Sequence, residues 1–138
     1  MTILVVDAQG GGLGRVLIEK IRASKLPVEI LGVGTNSIAT SALLKAGADA
    51  CATGENAVVY NSKHADIIIG GIGILSANAM MGEISPTMAT AISESNAIKL
   101  LIPLNRCNTI VCGVRDIPLP SKIDLAVEEI RALLATKT

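Results

Sequence analysis

Residues Val6-Asp7-Ala8-Gln9-Gly10-Gly11-Gly12-Leu13-Gly14-Arg15 carry four glycines within five positions, directly after an apolar run that reads as a strand. Glycine serves two ends in such a loop: it reaches backbone angles that a Cβ forbids, and it lets a pyrophosphate approach the main chain closely. A helix opening near Leu13 would aim its unpaired N–H groups and positive dipole end at that charge. The chemistry implied is the holding of a phosphate, with Gln9, Gly10, Gly11, Gly12, Leu13 and Gly14 as the contacts. Tight packing of strand against helix is the alternative use of the same glycines. No Gly-Lys-Ser/Thr ending follows, which speaks against nucleotide hydrolysis of the P-loop kind. The strict Gly-x-Gly-x-x-Gly spacing is missing too, since Arg15 stands three positions beyond Gly12.

Open parallel sheets bind ligands beyond the carboxyl ends of their strands, so the segments after the other strands belong with the glycine loop. They read Gly34-Thr35-Asn36, Thr53-Gly54-Glu55-Asn56, Gly70-Gly71-Ile72-Gly73 and Leu104-Asn105-Arg106-Cys107-Asn108. Thr35 and Asn36 can hydrogen-bond a ribose or phosphate, or cap the next helix. Neither is the acid that usually grips an adenosine ribose at this place, which weakens an NAD assignment. A mononucleotide, NADP held through neutral groups, or another phosphorylated metabolite stays open. Gly70, Gly71 and Gly73 join the cofactor contacts, and Thr53, Glu55, Asn56, Asn105 and Arg106 form the expected substrate side. Arg106 offers a two-pronged grip on phosphate or carboxylate. Glu55 is the nearest general base, although a capping role at a helix start is favoured for it. Cys107 has no histidine near it in sequence and is read as inert.

Positioning these loops calls for buried strands at Ile3-Asp7, Val28-Val33, Asp66-Gly70 and Lys99-Pro103, a weaker one near Asp49-Thr53 and a sixth near Thr109-Val114. The runs are too continuously apolar for one wet face, so parallel strands covered on both sides are expected. Ser85-Pro86 opens a helix running to about Asn96. Gly47 stops another that spans Ser37 to Ala46. In the last helix Ile123, Ala126, Val127, Ile130, Leu133 and Leu134 fall on one face, with Asp124, Glu128, Glu129 and Arg131 opposite.

A chain of 138 residues makes one domain, here 1–138. It has no Phe or Trp and only Tyr60, so aliphatic side chains must build the core. Twelve basic residues balance twelve acidic ones. With no aromatic platform for bases, nucleic acid is not the expected partner. The N-terminus lacks the marks of a signal peptide, and the longest apolar stretch, Ile67 to Met81, is broken by glycines and too short to span a membrane. A cytoplasmic location with no membrane association is expected. Three cysteines without a Cys-x-x-Cys pair and the lone His64 support neither a disulfide framework nor a metal site.

Two resemblances add to this. Ala8-x-x-x-Gly12-x-Gly14 is similar to the Gly-x-x-x-Gly-x-Gly loop of short-chain dehydrogenases, with Ala8 in place of their first glycine; the match covers the loop alone. Tyr60 and Lys63 do not extend it, being one residue short of the Tyr-x-x-x-Lys pair of those enzymes. Over most of its length the chain resembles a family of short bacterial proteins of unknown function. Asp7-Ala8-Gln9-Gly10-Gly11-Gly12-Leu13-Gly14, Leu31 to Asn36, Ala52 to Ser62 and Ile102 to Asn108 carry that likeness. The family usually has glycine after the aspartate, so Ala8 departs from it, and the resemblance implies no activity. The expected fold is a three-layer, doubly wound, mainly parallel α/β sheet of five to six strands, Rossmann-like. The expected function is the binding of a nucleotide or phosphometabolite, possible cofactors including NAD(P), across the strand ends. The alternatives are a small NAD(P)-dependent oxidoreductase completed by a homodimer and a scaffold that binds nothing.

Overall fold

The computed structural model describes residues 1–104 and 108–136. Their apolar runs become β1 (Thr2–Asp7), β2 (Glu29–Gly34), β3 (Ala50–Thr53), β4 (Ile67–Gly71) and β5 (Ile98–Ile102). Between and after them lie α1 (Gly12–Ala23), α2 (Ser37–Ala46), α3 (Glu55–Ser62), a 3-10 turn (Ile72–Leu75), α4 (Pro86–Glu94) and α5 (Leu119–Thr136). The strands form one sheet in the order β3-β2-β1-β4-β5, and every neighbouring pair is parallel.

Continuous apolar strands follow from burial on both faces. Ile3 and Val5 point into one core with Leu17, Ile18, Ile21, Leu43, Ile123, Val127 and Ile130. Leu4 and Val6 point into the other, with Val58, Ile74, Ile84, Met88 and Ile92. Helices α1, α2 and α5 therefore cover one face and α3 and α4 the other, giving the three-layer, doubly wound α/β architecture. Chain direction reverses at β1: the chain moves outward through β2 and β3, then crosses back to β4 on the opposite side of β1. Such a reversal leaves a crevice at the strand ends, because the loops after β1 and β4 leave toward opposite faces.

Local chemistry sets the helix ends. Asn36 caps α2 by accepting from the Ala39 amide at 2.9 Å, and Gly47 ends it at φ 117°. Ser85 caps α4 by accepting from the Met88 amide at 3.2 Å, ahead of Pro86.

The expected strand near Thr109-Val114 is not formed. A parallel strand beside β5 would need a crossover of about a dozen residues or more, and only the six positions 103–108 separate Ile102 from Thr109. The segment instead turns in the open, with Val114 N–H donating to Val111 O, Gly113 at φ 84° and Ile110 86% exposed. Among the described residues no helix is long and apolar enough to cross a membrane.

Candidate functional site

The four loop glycines divide by what a side chain would meet. A Cβ on Gly11, whose φ is 72°, would stand 3.0 Å from the Ala39 backbone and the Ala42 methyl. One on Gly14 would come within 2.4 Å of Leu43 and 2.9 Å of the Asp7 carboxylate. These two serve the turn and the packing of α1. At Gly10 and Gly12 nothing lies within 4 Å, so these positions are bare toward open space. The Gly11 amide donates to Ala8 O at 3.0 Å, whereas the amides of Gly10, Gly12 and Leu13 find no acceptor among the described residues.

The space they face is a cavity of about 380 Å³ in the β1–β4 crevice. Asp7 to Gly10, Gly12 and Leu13 form one wall; Gly71, Gly73 and Ile74 form the other; Met80, Leu104 and Leu119 close the rim. A volume of that order suits a small ligand rather than a few waters. Two larger hollows, of about 640 and 620 Å³, lie at the β5 edge between segment 108–117 and α5; the first adjoins this cavity at Leu104, and neither is lined by the glycine loop. The wider openings are therefore not where the open amides are.

Asp7 belongs to the wall of the cavity. Its carboxylate accepts from the Ala8 amide at 2.8 Å and the Gly14 amide at 2.5 Å, so it fills part of the N-terminus of α1 that a ligand anion would otherwise take. Burial pushes its pKa above the ordinary 3.8; the two amides oppose the rise and the nearby Glu83 adds to it.

Sequence reasoning missed Glu83. One of its oxygens accepts from the Gln9 amide at 2.9 Å, the Thr35 hydroxyl at 2.7 Å and the Asn36 side-chain amide at 2.8 Å. Led by the Thr35 bond, these hold its pKa below the ordinary 4.5. Thr35 and Asn36 thus meet an internal acid instead of standing open beside the cavity. Nothing local in the sequence signals this, since Glu83 lies 47 positions from Asn36 and in a different loop.

The remaining expected contacts scatter. Gly71 and Gly73 line the cavity, but Gly70 belongs to the sheet, where a Cβ would sit 2.7 Å from Val6 O. Thr53, the last residue of the edge strand β3, shares a 2.6 Å hydrogen bond with Thr40 of α2. Glu55 accepts from the Ser85 hydroxyl at 2.5 Å and so braces the start of α4. Asn56 is exposed in the first turn of α3. Because β2 separates β3 from β1, none of these three reaches the β1–β4 crevice. Asn105, Arg106 and Cys107 lie outside the described residues. Tyr60 is exposed, its ring 4.9 Å from that of His64. No group of three or more His, Cys, Asp or Glu side chains is placed to hold a metal ion among the described residues.

No curated protein matches the chain. Among solved structures, the dodecameric FMN-dependent UbiX-like decarboxylase from Escherichia coli O157:H7 is similar over 92% of this chain and 75% of that one, with 15% identity and a TM-score of 0.46. At that distance the likeness speaks neither to a ligand nor to assembly. The domain of unknown function DUF3842 matches residues 2–135, nearly the whole of the five-stranded unit described above, and the chain belongs to that family.

Proposed function

We propose that this protein binds a small phosphorylated ligand of about mononucleotide size in the β1–β4 crevice, with the phosphate on the backbone amides of Gly10, Gly12 and Leu13. The observation that carries the proposal is the coincidence of these three open amides with two bare glycines on the wall of one cavity. An amide that meets no internal acceptor gains a charge-assisted hydrogen bond when an anion arrives, and the α1 dipole adds to the attraction. The opposite wall is glycine backbone and aliphatic side chain, a surface suited to a flat or apolar group. Asp7 is the one titratable side chain among the described residues on the wall, and both its oxygens are engaged, which supports holding a ligand over transforming it.

The test is a thermal-shift panel of AMP, FMN, NAD, NADP, coenzyme A, sugar phosphates and inorganic phosphate. A ligand present at a hundred times its Kd stabilises the folded state by about 2.7 kcal/mol. At least one panel member is expected to raise the melting temperature of the wild type and to leave Gly12→Leu unmoved. Because a side chain at position 12 enters open space, the unliganded variant should melt close to the wild type. A panel without a single shift, or an unchanged shift in Gly12→Leu, would overturn the proposal.

A further inference from the structure

Glu83 comes from the segment between the 3-10 turn and α4, which folds back through positive φ at Asn78, Met80, Met81 and Gly82, of 65°, 56°, 58° and 87°. The fold brings it to the end of β2, the place where an α/β fold that holds phosphate on a β1 glycine loop carries an acid for the neighbouring ribose. The chain has no acid there in sequence, and Glu83 supplies one in space. All three of its hydrogen bonds fall on Oε1, and Oε2 accepts none among the described residues. A carboxylate offers about four acceptor positions, so one oxygen anchors the side chain while the other keeps acceptor capacity to spare, and the side chain, just outside the lining of the cavity, is half-buried rather than enclosed. Gln9 joins this acid to the cavity: its amide donates to Glu83 and the residue itself lines the wall, while Met80 of the same segment forms part of the rim.

We infer that Glu83 is a specificity-determining residue, whose Oε2 accepts from the free 2′- and 3′-hydroxyls of a ribose and rejects a 2′-phosphate. This rests on the phosphate-binding reading above and names its ligand class: nucleotides with an unmodified ribose. The groups that hold Glu83 are a backbone amide, a hydroxyl and a carboxamide, all neutral, so nothing among them offsets the repulsion between this carboxylate and a second phosphate. Rejection built from like charge is a common source of specificity.

Titration calorimetry with AMP, 2′-deoxy-AMP and adenosine 2′,5′-bisphosphate tests the inference. In the wild type AMP should bind tightest, the deoxy form about tenfold or more weaker for loss of a bond to a charged group, and the bisphosphate weaker still. Glu83→Gln keeps an oxygen for the three anchoring donors and turns Oε2 into an N–H donor. Because a carboxamide N–H can still donate to a hydroxyl oxygen but without the charge, the variant should shrink the advantage of AMP over 2′-deoxy-AMP and restore binding of the bisphosphate. If that variant folds poorly, the wild-type series decides alone. Equal wild-type affinity for AMP and 2′-deoxy-AMP overturns this inference and leaves the phosphate site standing. A Glu83→Gln protein that binds all three ligands and inorganic phosphate more tightly by one common factor overturns it as well, because Glu83 would then only repel anions. A wild type that binds none of the three and no inorganic phosphate overturns the phosphate site and the inference together.

Discussion

Gly12 and Gly14 stand two positions apart, and a methyl added to each should have opposite consequences. At Gly14 it enters space held by the buried Leu43 and by Asp7, so Gly14→Ala should cost about 1–3 kcal/mol as an overpacked site. At Gly12 it meets nothing, and Gly12→Ala should lie within about 0.5 kcal/mol of the wild type. Urea unfolding of the two variants checks both, and equal losses would contradict the division of the loop into packing and open glycines. The two acids beside the loop should titrate in opposite senses. Carboxyl-carbon NMR should place the Asp7 midpoint above 3.8 and that of Glu83 below 4.5. By linkage, the stability Asp7 contributes is fully present below 3.8 and is lost as pH rises through its raised folded value. Glu83 does the reverse: its contribution is present above 4.5 and is lost as pH falls through its lowered folded value. The glycine loop was legible as a strand-to-helix turn because strand, glycines and helix are consecutive. The engagement of Asp7 with Gly14 is short-range too, yet residue types alone do not say that this carboxylate turns inward onto the helix start.

Among the elements, α2 and α4 show how far local signals reach. Their starts and stops at Asn36, Gly47 and Ser85-Pro86 depend on groups within a turn of one another, so their positions could be read from sequence. Ser85 does more than cap, because its hydroxyl also donates to Glu55 of α3. Ser85→Ala should therefore cost about 1 kcal/mol or somewhat more in stability, read as a lower denaturant midpoint with an unchanged slope. An unchanged midpoint would mean that neither bond matters. The Thr109-Val114 segment shows the limit of the same reasoning. It has the composition of a strand, but pairing needs a neighbour within reach, and the short connection from β5 denies it a parallel one. Composition reports what a segment could be, and connection length decides what it can pair with.

At the scale of the whole molecule, β1 is the centre of the sheet and its interior residues are buried on both faces between β2 and β4, while β3 is a four-residue strand at one edge. Amide hydrogen exchange should be slowest in β1 and β4 and markedly faster in β3, since local opening exposes edges first. Slower exchange in β3 than in β1 would contradict the strand order. That order also decides the site. With β2 between β1 and β3, Thr53, Glu55 and Asn56 are carried away from the glycine loop, whereas the reversal at β1 brings Gly71 and Gly73 opposite it. The sequence by itself determined the α/β alternation, the five strands that form together with a sixth that does not, the helix caps and the glycine turn, because each depends on neighbours along the chain and on apolar periodicity. Only the tertiary structure decided which strand ends adjoin, that the crevice opens between β1 and β4, and that Glu83 arrives where β2 lacks an acid. Those outcomes depend on contacts between residues tens of positions apart, such as Gln9 with Glu83 and Asn36 with Glu83, and no local pattern encodes which distant loop will fold back to meet them.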